Sequence, residues 1–243
     1  KNRYNLIKEI TNKINIKFLI IEKVPFQSFD HFYKAIKILN KKKIKSWVNC
    51  PNRIYRSYNN LKKIIKIKKN IHMKVTGGNW GLASNFIHYL DLFSFLINET
   101  KINIIYHKLN QPFESKRKNF IEFDGSILVK SKNNNYLFVE DDIKFNKPVV
   151  IEISGYYFKI IIFESLNKAI FFHKEDKWKK KEISFIIEKQ SKLTKYMIED
   201  ILEKKDFKLI NLNQSFSLNE NMFKIFKNHY NKFNKKSKLI PIT

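Results

Sequence analysis

The chain has 243 residues and a formal charge of +26, which combines 48 basic with 22 acidic residues. Its single cysteine, Cys50, excludes an intramolecular disulfide and a cysteine-based zinc cluster, so we predict no metal site. No apolar run approaches the roughly 20 residues that a membrane span needs. The composition therefore predicts a soluble, cytoplasmic protein that does not enter a membrane and is long enough for a sizeable core.

The positive charge also suggests nucleic-acid binding, because a basic surface condenses on phosphate. Only four of the basic residues are arginines, however, and the lysines are scattered through every segment. Arginine is the usual reader of phosphates and guanines, since its planar fork bonds bidentately. We therefore predict no specific nucleic-acid partner. A basic, nucleic-acid-associated protein stays open as a third class, which requires the lysines to gather on one face.

The N-terminal part of the chain alternates strands and helices. Its pattern predicts strands at residues 17–21 and 44–49, and helices at residues 28–40 and 55–67. This order is typical of the closing strands of a parallel sheet.

Polar residues follow both predicted strands. Glu22 and Lys23 come directly after the first strand, Asn49 ends the second, and Arg53 lies shortly beyond it. Because ligands of open α/β sheets bind at the carboxyl ends of the strands, this edge is a candidate site. The alternatives are a solvated loop lysine, a turn cap for Asn49 and a salt bridge for Arg53.

A glycine-rich turn at residues 77–81 leads into a predicted amphipathic helix. Ser84, His88 and Asp91 are spaced i, i+4 and i+7, so they share one face, while apolar residues cover another. Histidine is the side chain best suited to proton exchange near neutral pH, so we expect chemistry on this face. A hydrogen-bonded packing histidine and a purely structural Asp91 are the alternatives.

Beyond this helix the pattern becomes rich in strands. Strands are predicted at residues 102–106, 119–129, 136–139, 149–164, 169–173 and 182–187. Turn signals at residues 124–125, 133–135 and 140–142 favour antiparallel connections. Two helices, at residues 192–203 and 219–233, end the chain. The predicted fold class is α/β followed by α+β, with an open, mostly antiparallel sheet in the second part.

These segments resemble the glucose-fructose oxidoreductase, inositol dehydrogenase and MocA (Gfo/Idh/MocA) family of nicotinamide-dependent sugar oxidoreductases. The family's Glu-Lys-Pro element at the end of a Rossmann strand is similar to Glu22-Lys23-Val24-Pro25, with one residue inserted before the proline. The family's Asp, His, Asp helix motif is similar to Ser84, His88 and Asp91. Further similarity lies in residues 48–53, 114–125 and 241–243, so the resemblance spans nearly the whole chain.

The resemblance implies the carboxyl-terminal part of a Rossmann-type, nucleotide-binding domain in residues 1–70. It implies an α+β substrate and oligomerisation domain in residues 71–243, with a homo-oligomer formed through the open sheet. The implied cofactor is NAD or NADP, and the implied substrate is a sugar or a nucleotide-linked sugar.

Two departures from the family pattern stand out. Ser84 takes the place of an aspartate, and a hydroxyl cannot stabilise an imidazolium as a carboxylate does. No Gly-x-Gly-x-x-Gly loop occurs either, since the five glycines are at positions 77, 78, 81, 125 and 155. We therefore expect that the family's N-terminal segment is missing from this chain, and that the chain alone is inactive.

The resemblance also implies residue roles. His88 is the general base, and Lys23 lies near the reacting hydroxyl and the nicotinamide ribose. Residues implied to contact the cofactor are Glu22, Lys23 and Asn49. Residues implied to bind or orient the substrate are Ser84, Asn85, Asp91, Trp80 and Arg53, although Trp80 is as readily a core anchor.

The predicted function is hydride transfer between a nicotinamide cofactor and a sugar or polyol hydroxyl. A catalytically silent sugar-binding or assembly relative of the same fold is the alternative. Ser84 and the missing glycine loop both favour that alternative.

Overall fold

The computed structural model describes residues 3–65, 69–234 and 239–243. These residues form a three-stranded sheet, an eight-stranded sheet and a two-stranded ribbon. The first elements are α1 (Arg3–Lys13), β1 (Phe18–Glu22), α2 (Phe29–Lys41), β2 (Lys45–Asn49), a 3₁₀ turn (Pro51–Ile54) and α3 (Arg56–Ile64). They are followed by β3 (His72–Gly77), α4 (Leu82–Ile97), β4 (Ile102–Leu109), β5 (Phe113–Glu114), β6 (Ile121–Glu122), β7 (Gly125–Ser131) and β8 (Tyr136–Asp141). The last are β9 (Val150–Ser154), β10 (Phe158–Phe163), β11 (Lys168–His173), β12 (Lys181–Ser184), α5 (Gln190–Lys204), β13 (Ile210–Asn211) and α6 (Leu212–Phe233).

The small sheet places the ends of its two main strands side by side. Strands β1 and β2 are parallel, and their last residues, Glu22 and Asn49, are register partners. Strand β13 pairs with the other edge of β2 in the antiparallel direction. The polar residues that follow β1 and β2 therefore meet at one edge of the sheet, as the sequence predicts.

Helix α2 shows how the sequence sets the local structure. It begins at the N-cap Ser28, whose hydroxyl accepts a hydrogen bond from the backbone N–H of His31 at 3.2 Å. This contact satisfies one of the helix's unpaired N-terminal donors. Phe32, Ala35 and Leu39 form its buried face at a spacing of three and four residues. The predicted helix at residues 28–40 is confirmed.

The large sheet has the order β12-β11-β10-β9-β3-β8-β7-β4. All of its neighbouring pairs are antiparallel except β3 with β8. Its strands alternate between a buried face and a more exposed face, which is the two-residue period of a half-buried strand. The predicted fold class, α/β followed by an open and mostly antiparallel sheet, is confirmed.

Helix α4 covers the inner face of this sheet and is buried on almost every side. It contacts β8, β6, α6 and the 3₁₀ turn after β2. One continuous apolar core includes Val48 of the small sheet, Phe86 of α4 and Phe226 of α6. Helix α6 contacts β2 and β13 of the small sheet and β4 of the large one, so α4 and α6 together connect the two sheets. A domain division near residue 70 stays a prediction.

Several predicted elements differ in their bounds. The stretch at residues 119–129 is two strands, β6 and β7, because Gly125 has φ +123° and passes close to the backbone carbonyl of Lys108. The stretch at residues 149–164 is also two strands, β9 and β10, which are joined by a turn around Gly155. Helix α3 ends at Ile64, and residues 66 and 67 of the helix predicted there lie outside the described residues.

Helix α1 and the strands β3, β5 and β13 are not predicted from the sequence. In β3 the exposed His72 and Lys74 alternate with the buried Met73 and Val75, so the apolar period covers only four residues. Helix α1 buries only Ile7 and Thr11, which is too short an apolar stripe to read from the sequence.

The outer face of the large sheet contains a shallow cavity lined in part by Tyr136, Phe138 and Lys159. The role as a subunit interface that the resemblance implies for this face stays a prediction. Among the described residues no helix combines the length and the apolar character that crossing a membrane requires.

Candidate functional site

Two cavities adjoin at the carboxyl edge of β1 and β2. The larger has a volume of about 720 Å³ and the smaller about 310 Å³. Four residues line both of them, namely Glu22, Lys23, Trp80 and Asn85. The strand edge that the sequence singles out is therefore one wall of a cleft, and the start of helix α4 is the opposite wall.

The Lys23 side chain bridges these two walls. Its Nζ donates to the backbone oxygen of Ser84 and to Oδ1 of Asn85, both at 2.8 Å. An ammonium group has three N–H donors. Two of them are used by these contacts with described residues, so one remains for a ligand. Burial lowers the pKa of Lys23, and the neighbouring Glu122 carboxylate partly opposes this shift. The Lys23–Val24 peptide bond is cis.

His88 lines the smaller cavity together with Lys23, Glu22 and Asn49. Burial, reinforced by the positive charge of Lys23, lowers the pKa of His88 to about 3. The imidazole is therefore neutral near pH 7 and can accept a proton. Its Nδ1 atom is buried and has no hydrogen-bond partner among the described residues.

Asn49 carries a second unsatisfied atom among the described residues. Its amide Nδ2 donates to the Glu22 carboxylate, whereas its Oδ1 is buried and lacks a partner among the described residues. Unpaired buried polar atoms are rare, because each one carries a desolvation cost. His88 and Asn49 line the same cavity, but these two unpaired atoms are themselves buried and are not exposed to it.

Two carboxylates hold the turn before helix α4. Asp141, at the end of β8, accepts hydrogen bonds from the backbone N–H groups of Trp80, Gly81 and Leu82 at 2.9 to 3.2 Å. Glu122, in β6, accepts from those of Ala83 and Ser84 at 2.9 and 3.3 Å. Negative charge is favourable at a helix N-terminus, so these contacts fix where α4 begins and where it presents its polar face.

Gly81 is required at this turn, because its φ of +79° lies in the left-handed region and an added Cβ would stand 2.9 Å from the Ser84 hydroxyl. We expect Gly81→Ala to lower the free energy of unfolding by about 1–2 kcal/mol, measured by urea denaturation. The matched control is Asn79→Gly, since Asn79 is exposed and has φ +57°. Equal stability of Gly81→Ala and the wild type would contradict this assignment.

Of the five substrate-binding residues that the resemblance implies, three line the cleft and two do not. Trp80, Ser84 and Asn85 line the cleft. The Trp80 indole N–H donates to the Glu140 carbonyl at 3.0 Å, which fixes the ring at the cleft wall. The Ser84 hydroxyl donates to the Gly81 carbonyl at 3.2 Å, so it takes part in the helix start.

Arg53 and Asp91 pair with each other, which is the salt-bridge alternative, and their implied role in substrate binding stays a prediction. Neither residue lines the two cavities. Both are buried, and the Arg53 guanidinium forms a bidentate ion pair with the Asp91 carboxylate, with Nε to Oδ2 at 2.8 Å. A buried carboxylate needs a partner of opposite charge, and this need determines the direction of both side chains. The pair links the segment after β2 to helix α4.

The sequence analysis missed several residues of the cleft. Glu122 lies on the wall of the larger cavity, and Tyr55, Tyr89 and Glu164 lie on the wall of the smaller one. Burial raises the pKa of Glu164, while a 2.6 Å hydrogen bond from the Tyr58 hydroxyl opposes this shift. Glu122 falls inside the segment 114–125 that supports the resemblance, but the sequence does not reveal which strand reaches the cleft.

Comparison with known sequences finds no match. No family model matches the chain, and no curated protein does.

Comparison of structures defines the class of fold. The structural neighbours are NAD(P)-linked oxidoreductases of the Gfo/Idh/MocA type, together with regulators of the same architecture. The resemblance predicted from the sequence is therefore confirmed at the level of the fold.

Three of these neighbours, two enzymes and one transcriptional regulator, show the similarity in numbers. UDP-N-acetylglucosamine 3-dehydrogenase GnnA from Acidithiobacillus ferrooxidans is 7% identical, with a TM-score of 0.69 over 89% of this chain and 71% of its own. A mutant of KijD10, a 3-ketoreductase from Actinomadura kijaniata in complex with TDP-benzene and NADP, is 8% identical, with a TM-score of 0.68 over 90% of this chain and 71% of its own. The transcriptional regulator Gal80p from Kluyveromyces lactis is 16% identical, with a TM-score of 0.66 over 96% of this chain and 70% of its own.

Proposed function

We propose that this protein is an oxidoreductase that transfers a hydride between NAD or NADP and a hydroxyl of a sugar or polyol. The observation that carries the proposal is that Lys23 and His88, which are 65 positions apart in the sequence, line one cavity. A proton acceptor and a cation beside the same cavity are the two groups that oxidation of an alcohol requires from a protein.

The residues at the strand edge fit the nicotinamide half of the cofactor. Glu22 and Asn49 line the smaller cavity, where a carboxylate and an amide are groups that can hydrogen-bond to a carboxamide or a ribose hydroxyl. When bound, the cofactor supplies the hydride acceptor or donor. The assignment covers this half only, because the sequence has no Gly-x-Gly-x-x-Gly loop.

The side chains of the cleft have complementary tasks in this proposal. The neutral His88 imidazole accepts the proton of the substrate hydroxyl. The remaining N–H donor of Lys23 points to the same substrate oxygen and stabilises the negative charge that develops on it. The contacts of Lys23 with Ser84 and Asn85 hold the ammonium group in place, so that little reorganisation is needed during the reaction.

The larger cavity suits a sugar. Its wall combines the Trp80 ring, which can pack against the C–H face of a sugar, with amide, hydroxyl and carboxylate groups that hydrogen-bond to its hydroxyls. The neighbours GnnA and KijD10 are a UDP-N-acetylglucosamine 3-dehydrogenase and a 3-ketoreductase. We therefore propose free and nucleotide-linked sugars as the substrate class.

The full-length protein, purified as its gene encodes it, tests this proposal directly. It is mixed with NAD or NADP and with a panel that contains glucose, myo-inositol and UDP-N-acetylglucosamine, and formation of the reduced cofactor is followed by absorbance. The proposal predicts turnover with at least one member of the panel. Binding of sugars without any turnover would instead support the second candidate.

The second candidate is a catalytically silent sugar-binding or regulatory protein of the same fold. It is favoured by Ser84, whose hydroxyl donates to the Gly81 carbonyl and carries no charge toward His88. The neighbour Gal80p is a transcriptional regulator, so this architecture also occurs outside enzymes. The cytoplasmic location and the homo-oligomer stay predictions under both candidates.

A further inference from the structure

The carboxylate of Glu122 has no assigned role in the cleft beyond its contacts with the helix. It lies in β6, is only 8% exposed, and lines the larger cavity beside Lys23 and Asn85. Its Oε2 accepts from the backbone N–H groups of Ala83 and Ser84. Its Oε1 lies next to Gly81, 3.1 Å from the position that a Cβ on this glycine would take.

We propose, on the basis of the function proposed above, that Glu122 is a substrate-binding residue that accepts hydrogen bonds from sugar hydroxyls in the larger cavity. It supplies from β6 the negative charge that the side chain at position 84 lacks. Glu122 and Ser84 are 38 positions apart in sequence, yet the carboxylate contacts the backbone N–H of residue 84.

The contacts of Glu122 leave it able to bind a ligand. An ionised carboxylate offers about four acceptor positions. The two backbone amides occupy one of its oxygens and the Ser84 hydroxyl is also within reach of the carboxylate, so at least one position remains for a ligand. Because charged acceptors form stronger hydrogen bonds than neutral ones, a polyol gains more from this group than from an amide or a hydroxyl.

The surroundings of this carboxylate act on its pKa in two directions. Burial raises the pKa of Glu122, but hydrogen bonds from Ser84 and Ala83 and the charge of Lys23 act in the opposite direction. The positive end of α4 adds to this effect. The site therefore pairs a buried carboxylate with a cation that is also fixed to the start of α4.

Helix capping alone does not explain why Glu122 faces the cavity. Asp141 already accepts hydrogen bonds from three backbone N–H groups of the same turn, and it lines neither cavity. The two carboxylates thus share the structural task, and only Glu122 reaches the cleft. Asp141 is the matched control for any loss that comes from the helix start.

Isothermal titration calorimetry tests the inference without turnover. The wild type, Glu122→Gln and Asp141→Asn are titrated with glucose, myo-inositol and UDP-N-acetylglucosamine, and thermal unfolding of each variant is measured in parallel. Glutamine keeps an oxygen that can accept from Ala83 and Ser84. We expect Glu122→Gln to weaken binding by about 10- to 100-fold, as the loss of a charged hydrogen-bond acceptor implies. We expect Asp141→Asn to lower the unfolding temperature and to weaken binding much less than Glu122→Gln does, because Asp141 lines neither cavity.

A second variant moves the carboxylate from position 122 to position 84. Ser84→Asp in the Glu122→Gln background returns a carboxylate to the same wall, so we expect it to recover most of the affinity. The double variant also keeps the test informative if Glu122→Gln alone does not fold, because a folded double variant that binds no sugar contradicts the inference.

The remaining outcomes separate this inference from the proposed function. Equal affinity of Glu122→Gln and Asp141→Asn overturns the inference, and so does a wild type that binds no member of the panel. Sugar binding that depends on Glu122 but without turnover supports the inference and contradicts the oxidoreductase proposal.

Discussion

Replacing His88 by glutamine is expected to reduce turnover by about 10²- to 10⁴-fold while sugar binding changes little. Glutamine is polar and similar in reach, but it cannot accept a proton near neutral pH. The measurement is kcat and KM for the best substrate of the panel. His72→Gln is the matched control, since His72 lies on the outer face of the large sheet and should not affect turnover. Unchanged turnover in His88→Gln would remove His88 from the mechanism.

The depressed pKa of His88 gives this prediction a pH dependence. With a pKa of about 3 in the folded protein, His88 stays unprotonated between pH 5 and 8 and causes no loss of kcat/KM there. In the unfolded chain its ordinary value is 6.5, so the unfolded state takes up this proton first as the pH falls. The contribution of the neutral His88 to the free energy of unfolding is therefore fully present above pH 6.5 and is lost as the pH falls toward 3.

The same reasoning makes the stability of His88→Gln less sensitive to acid. Urea denaturation between pH 4 and 7 should show a shallower decrease for this variant than for the wild type. A steeper or equal decrease in the variant would show that the imidazole is not held in its neutral form.

The second large effect concerns the buried ion pair of Arg53 and Asp91. Removing one partner leaves an uncompensated buried charge, so we expect Asp91→Ala to lower the free energy of unfolding by about 3–5 kcal/mol. The measurement is urea denaturation of the purified variant. Asp30→Asn is the matched control, because the Asp30–Lys34 pair is exposed and should have little influence on stability.

Replacing both partners of this pair shows whether the unpaired charge or the lost contacts destabilise Asp91→Ala. Arg53→Met combined with Asp91→Leu removes both charges and keeps apolar volume, so it should recover most of the loss seen in Asp91→Ala. A double variant as unstable as Asp91→Ala would mean that the lost contacts, and not the unpaired charge, cause the destabilisation.

The sequence predicts the parts of this structure that depend on local patterns. The parallel pair β1 and β2, helix α2 and the polar face of α4 all follow from periodicity within a short window. The position of Lys23 at the cleft follows because ligands bind at the carboxyl ends of parallel strands, whereas its convergence with His88 is what the family resemblance implies.

The parts that depend on long-range packing do not follow from the sequence. Spacing places Asp91 on the same helical face as His88, yet the fold brings Arg53 close enough to pair with it and so removes it from the cleft. Glu122 becomes part of the cleft only because β6 packs against the start of α4. Both outcomes are set by tertiary contacts that no local pattern encodes.

The central claim is that Lys23 and His88 act on the same bound substrate, and a double-mutant cycle on kcat/KM tests it most directly. The cycle compares the wild type, Lys23→Met, His88→Gln and the double variant with the best substrate of the panel. Because groups that act as a unit are strongly non-additive, we predict that the double variant is little worse than the more damaged single variant. Losses that simply multiply, or single variants that keep full activity, would contradict the account.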